Sequence, residues 1–154
     1  GTVLEEGGWF STRPSSFQFR VPLLDDYVLK FTMAFSTMHG RLFPDGPGIG
    51  LERAVITGYV PRDGIISEAQ RIVDDCFGEN PPSICNLVGS QIGPDTTGEE
   101  MMGFIISFTS GFDTELTEAG PRDCDPDEEE SECNAIGICL SVSGIGVTVV
   151  GVAE

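Results

Sequence analysis

The stretch that decides the fold class is residues 17–35, which read FQFRVPLLDDYVLKFTMAF. On either side of the acidic pair Asp25-Asp26, apolar side chains occupy every second position, with polar ones between them. This period of two is typical of β-strands with one buried and one solvated face. We therefore predict a hairpin or a bent pair of strands here, with Pro22 confining the first strand to a sheet edge.

Apolar runs of similar length recur along the chain, separated by turns rich in glycine and proline. Further strands are expected near residues 54–60, 101–109, 137–143 and 146–152. One helix is predicted at about 67–76, because Ser67 and Gln70 form a capping box and Gly78 ends the apolar spacing that follows. The predicted fold is mainly β: an antiparallel β-sandwich or a jelly-roll-like barrel with this one short helix.

The cysteine pattern indicates an internal repeat of a strand and a disulfide loop. At an offset of 48 residues the motif D-C-x8-C-N-x-x-G occurs twice, from Asp75 to Gly89 and from Asp123 to Gly137. The strands expected at 54–60 and 102–108 precede the two copies at the same distance. We predict an extended N-terminal arm over residues 1–14 and a single β domain over 15–154, which contains a duplicated unit at about 54–100 and 102–152.

Two local disulfides, Cys76–Cys85 and Cys124–Cys133, are predicted in preference to a zinc site. Zinc sites use cysteines two to four residues apart, usually with histidine, whereas the only histidine, His39, is distant in sequence. Each bridge closes a loop of about ten residues, which loop entropy values at roughly 2.7 kcal/mol. Disulfides persist in oxidising compartments, so the expected location is extracellular or on the cell surface. Cys139 is predicted to be a buried free thiol, with a bridge to another chain as the alternative.

The charge of the chain is strongly negative, with 25 acidic and 8 basic side chains and a formal net charge of −17. Ten of the acids lie between Asp113 and Glu132, where Arg122 is the one base. Binding of nucleic acid or anionic lipid through basic patches is therefore not expected. No apolar run approaches the roughly 20 residues of a membrane-spanning helix, so no such segment is expected.

The acidic loop at residues 123–132 is a candidate calcium site, because alternate carboxylates on a tight loop can converge on one ion. The candidate ligands are Asp123, Asp125, Asp127 and Glu130. The opening D-x-D-x-D resembles an EF-hand, but Glu128 and Asn134 replace the required glycine and glutamate. The alternatives are a looser Ca²⁺ site or a solvated acidic tip that repels neighbours or meets a basic partner.

The two ends of the chain point to association with other chains. The start is apolar, and its residues Val3, Leu4, Trp9 and Phe10 form an arm suited to adding as a strand to a neighbouring subunit. The uncharged end at residues 145–152 would template strand pairing if it lay on an open sheet edge. The alternative for both segments is pairing within the same domain.

A structural or interaction role is the leading interpretation of the sequence. We find no catalytic constellation, since there is one histidine and no G-x-S-x-G motif. The chain is expected to be a secreted or cell-surface β domain, acting as a self-assembling filament or surface-layer subunit, whose partner is itself or another surface protein. A calcium-dependent module that binds carbohydrate or protein through residues 123–132 is the alternative, and an enzyme of unknown class comes third.

Overall fold

The computed structural model describes residues 2–4, 6–46, 48–106, 111–124 and 132–147, with side chains omitted at 2–4, 104–105 and 143–147. Within these ranges there are eight strands and three helices, with a short 3₁₀ turn at Glu6–Gly8. The strands are β1 (Thr2–Leu4), β2 (Trp9–Thr12), β3 (Ser15–Leu24), β4 (Tyr27–Asp45), β5 (Gly48–Pro61), β6 (Thr114–Thr117), β7 (Gly120–Asp123) and β8 (Ala135–Val147). The helices are α1 (Arg62–Cys76), α2 (Ile84–Val88) and α3 (Gly98–Ile106).

The strands form one antiparallel sheet in the order β1-β2-β4-β5-β8-β6-β7, and β3 pairs with the first part of β4. The sheet curls into a half-barrel, which confirms the prediction of a mainly antiparallel β domain. The predicted hairpin is also present, with Phe19 opposite Phe31 and Pro22 opposite Val28. Among the described strands β3 pairs only with β4, so Pro22 lies on an edge strand as expected.

The length of β4 allows it to serve two parts of the sheet. The first part pairs with β3, and the second lies between β2 and β5. Its register against β5 shifts between Ala34 and Thr37, where Phe35 has a φ of 51°. A non-glycine residue at positive φ is uncommon and here marks an irregularity at which the strand changes partners.

The helices pack on the concave face of the sheet, which we define as the face that carries the core. Helix α1 buries Ile65, Ala69, Ile72 and Val73, whose spacing places them on one side of the helix. They pack with sheet residues such as Met33, which is completely buried, and with α3. The opposite, convex face carries the alternate side chains of β4, β5 and β8.

Several secondary-structure predictions need correction, first that of a single helix, because the described ranges contain three. The helix predicted from residue 67 begins earlier, at Arg62. Pro61, with a φ of −64°, is the last residue of β5 and the N-cap of the helix. The strand expected at 101–109 is wrong, since residues 98–106 form α3. Thr97 and Glu100 hold its start in a reciprocal capping box, in which the Glu100 N–H donates to Thr97 Oγ1 at 3.3 Å and the Thr97 N–H to Glu100 Oε2 at 2.9 Å.

The structure does not show the predicted repeat. Residues 54–60 lie in a strand, whereas the equivalent 102–106 lie in a helix. The first cysteine pair joins α1 to α2, and the second joins the end of β7 to the segment before β8. The two strands expected at 137–143 and 146–152 are replaced by the single strand β8, and residues 148–152 lie outside the described ranges.

Candidate functional site

An apolar cavity of about 550 Å³ lies on the concave face. Its lining consists of Phe19, Val21, Leu29, Phe31, Val60, Ile65, Ile106, Ile136, Gly137, Ile138 and Cys139. None of these residues is charged, although the chain carries a net charge of −17. A concave apolar space of this size falls in the range of small-molecule and partner-binding pockets.

One side of the cavity is formed by the hairpin that the alternating sequence pattern predicts. Phe19 and Phe31 face one another across β3 and β4, with ring centroids 5.5 Å apart. Ile65 comes from the first turn of α1, and Ile106 is the last residue of α3. Ile136 and Ile138 complete the lining from β8. The cavity therefore joins two strands, β3 and β8, that are distant in sequence.

Within the described ranges, one edge of β8 next to this cavity has no strand partner beyond Ala135. The strand pairs with β5 along its length, but with β6 only where Ala135 meets Thr114. The N–H of Gly137 points away from β5 and donates to Asp113 Oδ1 at 3.0 Å. Because N–H directions alternate along a strand, those of Cys139 and Ser141 point the same way. Within the described ranges, no strand accepts from them.

This edge lacks the usual features that protect an exposed strand. Proteins blunt such edges with lysine, proline, bulges or inward-pointing charge. The segment from Ala135 to Val147 contains no charged residue and no proline. Its register against β5 is regular from Ala135 to Val142. The arrangement offers backbone donors and acceptors to an added strand, and the adjacent cavity offers space for its apolar side chains.

Both predicted disulfides are present, Cys76–Cys85 and Cys124–Cys133. The prediction of a buried Cys139 is wrong, because this free cysteine is exposed. Its neighbours Ile138 and Leu140 pack toward the core, and alternation therefore places the thiol on the convex face. The apolar neighbours of Cys139 in sequence led to the wrong expectation.

Residues of the predicted N-terminal arm pair with the chain's own sheet in this structure. Val3 and Leu4 belong to β1, which pairs with β2, and Trp9 and Phe10 belong to β2, which pairs with β4. Phe10 is buried, whereas Trp9 is 40% exposed. Strand β2 buries Phe10, and both strands satisfy backbone hydrogen bonds within their own sheet. Strand donation by residues 2–12 to another subunit would first require that pairing to be broken.

The calcium site predicted at the acidic loop lies largely outside the described residues. Asp123 is exposed at the end of β7, and Asp125, Asp127 and Glu130 are not in the described ranges. Elsewhere in the described chain, no three His, Cys, Asp or Glu side chains group as metal ligands would. Calcium binding therefore stays a prediction, which a melting curve with added Ca²⁺ tests.

A polar cluster that the sequence reasoning missed fixes α1 to β4. The guanidinium of Arg71 lies 4.8 Å from the ring centroid of Tyr27 and donates to Val28 O at 2.8 Å and Glu68 Oε2 at 2.7 Å. The Tyr27 hydroxyl donates to Asp75 Oδ2 at 3.0 Å. The spacings of Glu68, Arg71 and Asp75 on one helix face could have indicated their ion pairs. No local signal indicates Tyr27.

The environment of this cluster shifts three pKa values, and the hydrogen bond to Glu68 raises the pKa of Arg71. Burial raises the pKa of Tyr27 well above its usual value, and the hydrogen bond to Asp75 adds to this effect. Burial disfavours the charge of Glu68, but hydrogen bonds from Arg71 and from the Lys30 amide outweigh it and lower the pKa of Glu68. Every polar group in the cluster has a partner within the protein, so we interpret it as an anchor for α1.

No protein family, curated protein or solved structure matches this chain. No helix within the described ranges is long and apolar enough to cross a membrane.

Proposed function

We propose that the protein is a structural or interaction subunit, acting outside the cell or at its surface, that associates with other chains by strand pairing. The observation that carries this proposal is the edge of β8 beyond Gly137, which has no strand partner among the described residues, carries no charged residue of its own and lies beside an apolar cavity. The two disulfides are compatible with an extracellular location.

The edge and the cavity support the proposal together. An added strand gains main-chain hydrogen bonds from the edge, and its alternate side chains gain specificity from adjacent pockets. Each Val, Leu or Phe side chain transferred from water into such a space contributes about 1.5–3 kcal/mol. A short apolar strand could therefore bind here with few polar contacts.

The charge distribution also favours this edge over the rest of the surface. A net charge of −17 makes two copies repel one another, and so their contact is least opposed where carboxylates are absent. Residues 138–147 of β8 meet this condition in their own sequence, and Asp113 is the carboxylate at the start of this edge, on the N–H of Gly137. Salt screens the remaining repulsion, so we expect association to strengthen as ionic strength rises.

Light scattering coupled to size-exclusion chromatography tests the proposal. We expect the mass of the protein to rise above that of one chain as concentration and salt increase, and electron microscopy should then show ordered assemblies. A single-chain mass in every condition, together with failure to bind any surface protein of the same source, would contradict it.

A further inference from the structure

We infer that β8 pairs antiparallel with β8 of a second copy, around a two-fold axis at or between Cys139 and Ser141. This inference rests on the proposed function and names the partner and the contact surface. The two sheets would then continue into one another through the free edges of β8. A two-fold contact of this kind is self-complementary, since the same edge serves both copies.

The backbone of β8 limits where the second strand can lie. Asp113 already accepts the N–H of Gly137, so the free part of the edge begins beyond that residue. Cys139 and Ser141 follow with outward-pointing N–H and C=O groups. The pairing of β8 with β5 is regular from Ala135 to Val142. Beyond Val142 its register shifts, opposite residues 51–54 of β5. The regular, unoccupied part of the edge is therefore centred on residues 139–141.

The chemistry of this segment favours a second copy as the partner. Residues 138–147 of β8 carry no charge on a chain of net charge −17, so two identical chains can meet along them without a carboxylate from β8 itself, and Asp113 lies at the start of the edge. Ile138 and Leu140 face the core side of the sheet, next to the cavity. In the paired sheet the same side chains of the second copy would extend the apolar surface beside that cavity.

Antiparallel pairing brings exposed thiols from the two copies together. Outward-pointing residues that face one another form hydrogen-bonded pairs, with Cα atoms about 5.5 Å apart. This separation lies within the range that a disulfide spans. With the axis at Cys139, two copies of that residue face one another, and with the axis between the two positions Cys139 faces Ser141 of the second copy. Cys139 is exposed, and the other four cysteines are already paired.

Cross-linking with mild oxidation or a short bis-maleimide tests this geometry. The thiol is placed at position 139 (wild type), at 141 (Cys139→Ser with Ser141→Cys) or at the control position 57 (Cys139→Ser with Thr57→Cys). Thr57 is exposed and directly opposite Cys139, but on β5, one strand further from the edge. Two Thr57 positions would be about 15 Å apart in the dimer, since neighbouring strands are separated by about 4.8 Å.

We expect cross-linked dimers from the protein with its thiol at 139, from the variant with its thiol at 141, or from a mixture of these two proteins. The variant with its thiol at 57 should give little product. The position that reacts fastest identifies the axis. Equal reaction at position 57 would overturn the inference, because it would show random collision.

A second pair of variants tests the backbone contact without relying on a thiol. Ser141→Pro removes an outward N–H that β5 does not use, whereas Ser141→Thr keeps it. We expect the proline variant to lower the association constant about tenfold or more, which corresponds to roughly 1.4 kcal/mol, and the threonine variant to match the wild type. Circular dichroism checks that both variants are folded.

The possible outcomes distinguish the inference from the proposed function. Assembly that is unchanged by Ser141→Pro and gives no cross-link at 139 or 141 would overturn the β8 contact, while strand pairing elsewhere would remain. A single-chain mass for the wild type in every condition would overturn the self-association required by the inference. Binding of a different surface protein would then be the remaining form of the proposed function.

Discussion

The first cysteine loop, from Asp75 to Gly89, and the second cysteine loop, from Asp123 to Gly137, close equal lengths of chain in different surroundings. The first lies between α1 and α2, and its Cys76 and Cys85 pack against the hydrophobic core. The second connects β7 to β8 and begins at an exposed aspartate. The same disulfide spacing therefore joins two helices of a packed layer in one case and the end of β7 to the segment before β8 in the other.

The residues that the two loops share also make different contacts. Asp75 accepts a hydrogen bond from the Tyr27 hydroxyl, whereas Asp123 is exposed at the end of a short strand. Asn86 is exposed, whereas Asn134 binds both the N–H and the C=O of Leu116 through its side-chain amide. The two disulfides thus close loops of equal length. The part of the structure that each one stabilises depends on the contacts of its loop with the rest of the chain.

Removing each disulfide should give the largest difference between the two loops. We expect Cys76→Ala with Cys85→Ala to lower the free energy of unfolding by about 3–5 kcal/mol, and Cys124→Ala with Cys133→Ala by about 2–3 kcal/mol. The loop-entropy terms are equal, but the first pair also loses sulfur packed against the core. Urea titration measures both values, and equal losses would show that core packing adds nothing to the first bridge.

Replacing the glycine that ends each motif should give the second largest difference in stability between the two loops. A Cβ on Gly89 would lie 2.5 Å from the backbone oxygen of Cys85, whereas one on Gly137 would meet nothing closer than 3.7 Å. We therefore expect Gly89→Ala to destabilise the protein by about 1–3 kcal/mol, since backbone must shift. Gly137→Ala should change stability by less than about 0.5 kcal/mol. Thermal melting of the two variants measures the contrast, and an equal decrease would contradict the role of Gly89.

Replacing the asparagine of each motif should have the opposite result, with the larger loss of stability in the second loop. Asn134→Ala removes the acceptor of the Leu116 N–H, at 2.7 Å, and should cost about 1–2 kcal/mol. Asn86→Ala, on an exposed side chain, should cost less than about 0.5 kcal/mol. Hydrogen exchange provides the specific check, because the Leu116 amide should lose protection only in the Asn134 variant.

Local patterns in the sequence were enough to predict the hairpin, the body of α1 and both disulfides. Alternation from Phe17 to Phe35 requires no knowledge of distant residues, because the side-chain period itself identifies the strands. Helix α3 was missed because a continuous apolar run has no diagnostic period. The capping box of Thr97 and Glu100 was the available signal.

The candidate site could not be predicted in the same way, because it depends on which strands become neighbours. The cavity joins Phe19 of β3 to Ile138 of β8, which are more than a hundred residues apart. Among the described residues, the edge is open because β6 meets β8 at one residue pair. The sequence indicated only that the uncharged segment at 145–152 would template pairing if it lay on an open edge, and residues 148–152 lie outside the described ranges.

The smallest expected difference concerns the anchor of the first loop, the contact of Tyr27 with Asp75, whereas the corresponding Asp123 is exposed. Tyr27 contacts Asp75, the residue before Cys76, and burial raises the pKa of its hydroxyl. The folded state therefore keeps this proton when the unfolded chain has lost it. The resulting stability is fully present below the ordinary tyrosine pKa of 10.0 and is lost as pH rises above it, by at most about 1.4 kcal/mol per pH unit.

Replacing the tyrosine tests this dependence. Tyr27→Phe should cost about 1 kcal/mol at neutral pH, from one hydrogen bond, and should flatten the decline above pH 10.0. Since the chain has two tyrosines, a Tyr59→Phe variant leaves Tyr27 as the one tyrosine absorbing near the tyrosinate band. In that variant, tyrosinate absorbance should appear together with the loss of ellipticity on alkaline titration. Ionisation of Tyr27 while the fold remains intact would contradict the stabilising role of its hydrogen bond to Asp75. The packed disulfide would then be the main difference between the first loop and the second.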